Sequence, residues 1–245
     1  MKFLREMMRN LILREKASSQ HYVRYLRKKG VQVGEDVRFY SPMHTLVDVS
    51  CPWLLTIGDH VSITHGVVIL THDYAWSVVK GSPDSRGEIL GAQSPVTIGS
   101  NVFIGMNTVI TRGVTIEDHV IIGAGSVVTS DCESGYVYAG NPARKIQPLE
   151  EFREKRRKRQ FSEAKTVARC YRARFGKNPP PEVFSEYFPL FCTAEAAKAN
   201  PVFRRQMETG GTYEACFEWM AEEPPRFESY DAFLSFCFSE EDTSW

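Results

Sequence analysis

From Val96 to Val128, apolar and polar positions follow a period that belongs to neither a strand nor a helix. Starting at Ile98, an aliphatic side chain returns every sixth residue, through Ile104, Ile110, Ile116, Ile122 and Val128. A second register lies two residues earlier in each unit and holds Val96, Val102, Thr108, Val114, Val120 and Ser126, all small or β-branched. Carried backwards, the phase passes through Ile69, Ile63, Ile57, Cys51, Thr45, Phe39 and Val33, and the quartets GEDV, GDHV, GSNV and EDHV recur beside Val33, Ile57, Ile98 and Ile116. Sandwich strands alternate with period two, which does not place Gly, Asp or Asn at sixfold intervals. A short fixed period marks a solenoid, whose units bury their apolar faces only by stacking on their neighbours. One six-residue unit is a short strand and a turn. The pattern therefore predicts a solenoid over residues 96–130 and 31–72.

The phase breaks once. Ile69 and Ile98 lie 29 residues apart, which is not a multiple of six. Residues 74–95 are thus an excursion, rich in Gly, Pro, Ser and charge, and a long loop inside a compact repeat is usually functional.

The flanks change period. Residues 1–30 predict a helical segment: Leu4, Met8, Leu11 and Ile12 share one side of an amphipathic helix, and a second short helix starts at Ser18 or Ser19, carries Tyr22, Val23 and Leu26, and ends at Gly30. A basic amphipathic helix can lie on a membrane; covering the open end of the solenoid is the expected role. Residues 147–245 predict a helical appendage. Its first part spaces Leu149, Phe152, Phe161, Ala164, Ala168, Tyr171 and Phe175 mostly three or four apart. The aromatics of the remainder, Phe184 to Phe236, are expected to pack on the solenoid or on a neighbouring copy.

Composition narrows the classes. The formal net charge is zero, so no global field draws the chain to nucleic acid or anionic membrane. The basic run REKRRKR, Arg153 to Arg159, lacks an accompanying stacking platform or groove motif and reads as a solvated face or a partner for the acidic C-terminal tail. Six cysteines without CxxC spacing indicate neither a zinc nor a redox motif and suit a reducing cytoplasm. No stretch reads as a signal peptide or a transmembrane span.

The residues VTIGSNVFIGMNTVITRGVTIEDHVIIGAGSVVTSD, AGNPARKI and THDYAW together resemble the hexapeptide-repeat acyltransferases, with the closest likeness to the galactoside and maltose O-acetyltransferase type. The resemblance covers residues 31–146 and implies a mainly β protein, a triangular parallel β-helix of left-handed winding with three strands per coil, assembled as a homotrimer, with acetyl-coenzyme A as co-substrate and no metal.

Candidate chemistry gathers at the root of the excursion. A hydroxyl attacking a thioester needs a base near neutral pKa, held in one tautomer by a neighbouring carboxylate or carbonyl, and His72 offers it. By resemblance His72 is the general base, Glu88 matches an acid of the family, and Asp48 matches an acceptor-binding position. Asp73, a further catalytic candidate beside His72, stands where relatives commonly carry Pro, and adjacent residues on an extended strand point oppositely. Tyr74 and Trp76 suit stacking on a sugar face. For the co-substrate, the resemblance maps pantetheine contacts onto Ala124 and Thr129, nucleotide phosphates onto Arg144 and Lys145, and the thioester region onto Met106, where relatives usually carry a small residue. Gly123 and Gly125 let a ligand approach the backbone or serve the coil corner. The expected activity is acetyl transfer to a small hydroxyl acceptor, a carbohydrate before an antibiotic or other alcohol. Two further readings are a zinc-dependent β-helix hydratase, for which His60 and His65 would need a third ligand, and a non-catalytic binding scaffold.

Overall fold

The computed structural model describes residues 13–239, which divide into two compact units at Phe152/Arg153. The amphipathic segment around Leu4 to Ile12 lies outside the described residues.

In the first unit, strands of two or three residues take three sheets in rotation. One sheet holds β1 (Gln32–Val33), β4 (Leu55–Ile57), β7 (Val96–Ile98) and β10 (Thr115–Ile116). A second holds β2 (Arg38–Phe39), β5 (Ser62–Ile63), β8 (Phe103–Ile104), β11 (Ile121–Ile122), β13 (Tyr136–Ala139) and β14 (Arg144–Pro148). The third holds β3 (Leu46–Val47), β6 (Val68–Ile69), β9 (Val109–Ile110) and β12 (Val127–Val128). Pairing between coils is parallel throughout, giving a left-handed β-helix-like repeat, and only β14 runs antiparallel, folding back on β13. The sixfold aliphatics point inward, so Ile57, Ile63, Ile69, Ile98, Ile104, Ile110, Ile116, Ile122 and Val128 are all buried. The hydroxyls of the second register are satisfied: Thr108 and Ser126 both donate to the Gly123 carbonyl.

The quartets form the corners. Their third residues, Asp36, His60, Asn101 and His119, all have positive φ, a conformation that Asn, Asp and His tolerate better than other non-glycine residues. Their first glycines stack tightly: a Cβ on Gly58 would lie 2.7 Å from the Gly99 carbonyl carbon. Between coils, the Asp59 carboxylate accepts from the Glu35 amide at 2.7 Å and the Asp118 carboxylate from the Ser100 amide at 2.6 Å. His60 and His119 are therefore turn residues.

The backward phase needs correction in the first coil. Val47, not Thr45, pairs with Ile69, and Thr45 falls in the second register. The chain uses two residues more than the repeat between Phe39 and Val47, and four more between Val47 and Ile57; 3-10 turns at Pro42–His44 and Pro52–Leu54 take them up. Cys51 precedes the second of these turns and starts no strand.

Helix α1 (Ser19–Lys29) packs on this coil. The Ser18 hydroxyl accepts from the His21 amide, Gly30 closes the helix at φ 106°, and Tyr22, Val23 and Leu26 join the core, with Tyr22 edge-on to Phe39 at 4.9 Å. A short helix, α2 (Trp76–Lys80), lies within the excursion.

The second unit is helical: most of α3 (Leu149–Phe175), then α4 (Ala194–Ala199), α5 (Pro201–Met207), α6 (Tyr213–Glu222) and α7 (Tyr230–Phe238). Its aromatics supply a core of their own, correcting the expectation that they cover the solenoid or another copy. Phe184 meets Phe233 perpendicularly at 4.9 Å, Phe188 stacks on Phe203 at 4.7 Å, and Ala164 and Ala168 of α3 are buried in the same cluster.

The mainly β expectation is overturned: 42% of residues are helical and 17% lie in strands. Each hexapeptide spends only two or three residues on its strand and the rest on its turn, whereas α3 alone contributes 27 helical residues. Among the described residues, no helix is long and apolar enough to cross a membrane. All six cysteines are free.

Candidate active site

β3 and β6 are neighbours in register, Val47 beside Ile69, so the residues that follow them reach the same corner one coil apart. On one strand these are Asp48 and Val49; on the other, Leu70, Thr71 and His72. The Asp48 amide donates to the Ile69 carbonyl at 2.9 Å, which fixes the carboxylate against the exit of β6.

The Asp48 carboxylate accepts four hydrogen bonds. Oδ1 takes the Ser50 amide at 2.9 Å; Oδ2 takes the Thr71 amide at 3.0 Å, the Thr71 hydroxyl at 2.5 Å and His72 Nδ1. Its side chain is 4% exposed and that of His72 is 15% exposed. Burial alone would raise the Asp48 pKa, but the hydrogen bonds from the Thr71 hydroxyl, the Ser50 amide, His72 and the Thr71 amide outweigh it and hold the carboxyl well below its ordinary range. An ionised Asp48 has no proton to give, so the network assigns the imidazole proton to Nδ1. The lone pair of neutral His72 is then on Nε2, which has no hydrogen-bond partner among the described residues. A base held in one tautomer by a buried carboxylate is the arrangement general-base chemistry requires.

The excursion is zipped at its root. The Asp73 amide donates to the Ala92 carbonyl at 3.1 Å and the Ser94 amide to the Thr71 carbonyl at 3.0 Å, with His72 and Gln93 as an antiparallel bridge. Among the described residues Asp73 makes no hydrogen bond to His72 or Asp48. Its Oδ2 accepts from Arg112 Nε at 2.6 Å and its Oδ1 from the Ala75 amide at 3.0 Å; the Arg112 hydrogen bond is the main cause of its lowered pKa. Tyr74 sets its ring at 82° to that of His72 at 4.7 Å, stays 65% exposed, and meets Trp76 at 6.3 Å. Glu88 is exposed at the far end of the excursion, and its carboxylate makes no hydrogen bond or ion pair among the described residues. The orienting carboxylate is thus Asp48, with Thr71 and Arg112 as further members that the sequence did not single out. A phase corrected by two residues would have placed Asp48 beside His72, because it directly follows the inward Val47 and lies beside the exit of β6.

The residues assigned to the co-substrate lie on other parts of the coils. His65, Met106 and Ala124 stack at one corner, where the Asn107 amide donates to the His65 carbonyl and the Gly125 amide to the Met106 carbonyl. Met106, Ala124 and Thr129 are exposed. Gly125 has φ 71° with open space beside it, and Gly123 packs near Ala139, so each also serves its corner. After the cis Asn141-Pro142 bond, Arg144 is exposed and donates to the Ala143 carbonyl at 3.1 Å. Lys145 donates to Glu133 at 2.7 Å, which raises its pKa, and lies 4.0 Å over the Tyr136 ring. Among the described residues, no hydrogen bond or ring contact links this group to His72.

The histidines weighed as zinc ligands do not converge. His60 faces Asp36 at 3.5 Å, whereas His65 shares the Ser41 hydroxyl with His44 and lies against its ring at 4.4 Å, tilted by 31°. No three His, Cys, Asp or Glu side chains among the described residues form a group suited to a metal ion.

Residues 95–130 match the family described as bacterial transferase hexapeptide (six repeats). Protein CapG of Staphylococcus aureus is 42% identical over 131 residues, covering 53% of this chain and 73% of that protein. Galactoside O-acetyltransferase of Escherichia coli (strain K12) is 39% identical over 112 residues, 45% of this chain and 51% of that protein. Among solved structures, a maltose O-acetyltransferase from Clostridium difficile 630 aligns with a TM-score of 0.39 at 29% identity, over 58% of this chain and 81% of that one. The chain belongs to the hexapeptide-repeat acetyltransferase family.

Proposed function

We propose that this protein transfers an acetyl group from acetyl-coenzyme A to a hydroxyl of a small carbohydrate acceptor, with His72 as general base and Asp48 as its positioning carboxylate. The hydrogen bond from His72 Nδ1 to the buried Asp48 carries the reading, because it leaves Nε2 as the basic atom. In the reaction, Nε2 takes the proton of the acceptor hydroxyl as its oxygen attacks the thioester carbonyl carbon. The tetrahedral intermediate collapses with cleavage of the carbon–sulfur bond, and the imidazolium returns the proton to the departing thiolate. Asp48 stabilises the transient imidazolium and remains ionised.

The chain's residues suit the co-substrate. Among the described residues Arg144 bonds only to a neighbouring carbonyl, and the Lys145–Glu133 pair is solvent-exposed and contributes little, so both cations are available to phosphates. The name of the galactoside O-acetyltransferase relative supports a sugar acceptor, and exposed Tyr74 beside His72 offers a ring for it. A single solenoid edge is a shallow surface. A homotrimer that sets one subunit's His72 and excursion against another's Ala124, Thr129 and Arg144 would supply the missing concavity.

The test is release of free thiol from acetyl-coenzyme A with a panel of sugars and alcohols, for the native chain and His72→Ala. His72→Ala should lose on the order of 100- to 10,000-fold in turnover while still binding coenzyme A in a thermal-shift assay. More than a tenth of native turnover in that variant would rule out His72 as the base.

A further inference from the structure

The second unit contains a cavity that the acyl-transfer reading does not use. It has a volume of about 470 Å³ and lies between the first half of α3, the turn at Pro189–Leu190 and the segment from the end of α6 to Arg226. That size falls within the range of small-molecule sites, about 300–1,000 Å³. The segment is tied to the turn by the Phe227 amide, which donates to the Leu190 carbonyl at 2.8 Å.

Its chemistry is mixed in an informative way. Phe161, Leu190 and Met220 supply apolar surface, and Trp219 lines the cavity while remaining 49% exposed. An indole left half in solvent beside apolar neighbours offers a flat face to a ring. Arg157 and Arg226 bring two guanidinium groups, Gln160 an amide, and Glu223 the one carboxylate of the lining. Arg157 pairs with Glu154 at 3.2 Å, but both side chains are largely exposed. Such a pair contributes little, and exchanging Glu154 for a ligand carboxylate costs little. A second cavity of about 330 Å³ also has Pro189 in its lining, together with Arg156, Glu186 and Gln206.

We propose that the second unit carries a ligand site of its own for a carboxylate borne on a ring with an apolar face, in which the ring lies on Trp219 and the carboxylate meets Arg157. Sugar acids and aromatic acids both present this chemistry. The site does not involve His72, so the two proposals stand or fall separately.

Isothermal titration of the full chain with trigalacturonate and with phenylacetate tests it and separates the two sources. Saturable one-to-one binding of either probe is expected. Arg157→Glu and Trp219→Ala should each weaken it on the order of 10-fold, the size of one charge-assisted hydrogen bond. Glu223→Gln should tighten it by removing a like charge, a gain that damage to the fold cannot produce. The melting midpoint of each variant checks folding independently. Lack of binding by both probes at millimolar concentration, or affinities unchanged across all three variants, would overturn the proposal.

Discussion

Replacing Asp48 by Asn separates the two roles open to this residue. The amide has nearly the same shape but only one acceptor oxygen, whereas the carboxylate accepts from Ser50, from both donors of Thr71 and from His72. If the NH2 group takes the Oδ2 position, it donates to His72 Nδ1 and moves the imidazole proton to Nε2, the atom that must be bare. Loss of the correct tautomer should lower kcat on the order of 100- to 10,000-fold, with little change in acceptor KM. The Thr71 amide and hydroxyl then face a donor, and one buried donor left unsatisfied costs about 1–3 kcal/mol of stability. The assay is steady-state thiol release with both substrates varied, beside denaturant unfolding. A double variant with His72→Ala should be no slower than His72→Ala alone, because the two residues act as a unit. An acceptor-binding Asp48, as the family resemblance implied, would give the opposite pattern: a raised acceptor KM at unchanged kcat. That result would refute the positioning argument.

Further outcomes follow from other contacts. Reversing charge at both Arg144 and Lys145 should weaken coenzyme A binding much more than binding of pantetheine lacking the nucleotide; equal losses would place the phosphates elsewhere. Gly58→Ala should destabilise the first unit by about 1–3 kcal/mol, the usual cost of overpacking, because its Cβ would meet the Gly99 backbone at 2.7 Å; thermal unfolding reads the effect. Because the folded pKa of Asp48 lies below the unfolded value of about 3.9, its ionisation contributes stability that is complete above that pH and is lost as pH falls through the lowered folded value. Asp48→Asn should therefore flatten the acid limb of the stability profile, and an identical limb in both proteins would contradict the hydrogen-bond account. Mixing His72→Ala with Arg144→Glu chains under subunit exchange should restore turnover if sites are shared between subunits, and no recovery would argue against the trimer.

The repeat was legible because stacking demands an aliphatic inward side chain at every turn, and Ile98 to Val128 meet that demand without interruption. The first coil was harder to read. The extra residues around Pro42 and Pro52 sum to a full hexapeptide, so extrapolation from Ile57 returned to phase at Phe39 and concealed the shift at Thr45 and Val47. That shift hid the neighbourhood of Asp48 and His72, which are 24 residues apart and adjacent only through coil register. The Asp73–Arg112 pair was equally hidden, since it joins two corners across the whole excursion. The second unit gave helical spacing but no partner for its aromatics, because α3 shows a continuous apolar stripe only in its later turns. Pairings such as Phe184 with Phe233 depend on a chain reversal that no local period encodes.

The excursion has a consequence for how such a protein can change. Thr56 still pairs with Thr97, and Val68 with Val109, so the strands on either side stack as though nothing had been inserted. The root is closed by its own antiparallel bonds, and the His72–Asp48 pair is anchored in coils that precede the insertion. Residues between Tyr74 and Ala92 can therefore be lengthened, shortened or replaced without moving the His72–Asp48 pair. On the proposed function, acceptor preference would then drift, or be redesigned, by exchange of one surface segment while His72 and Asp48 are inherited intact.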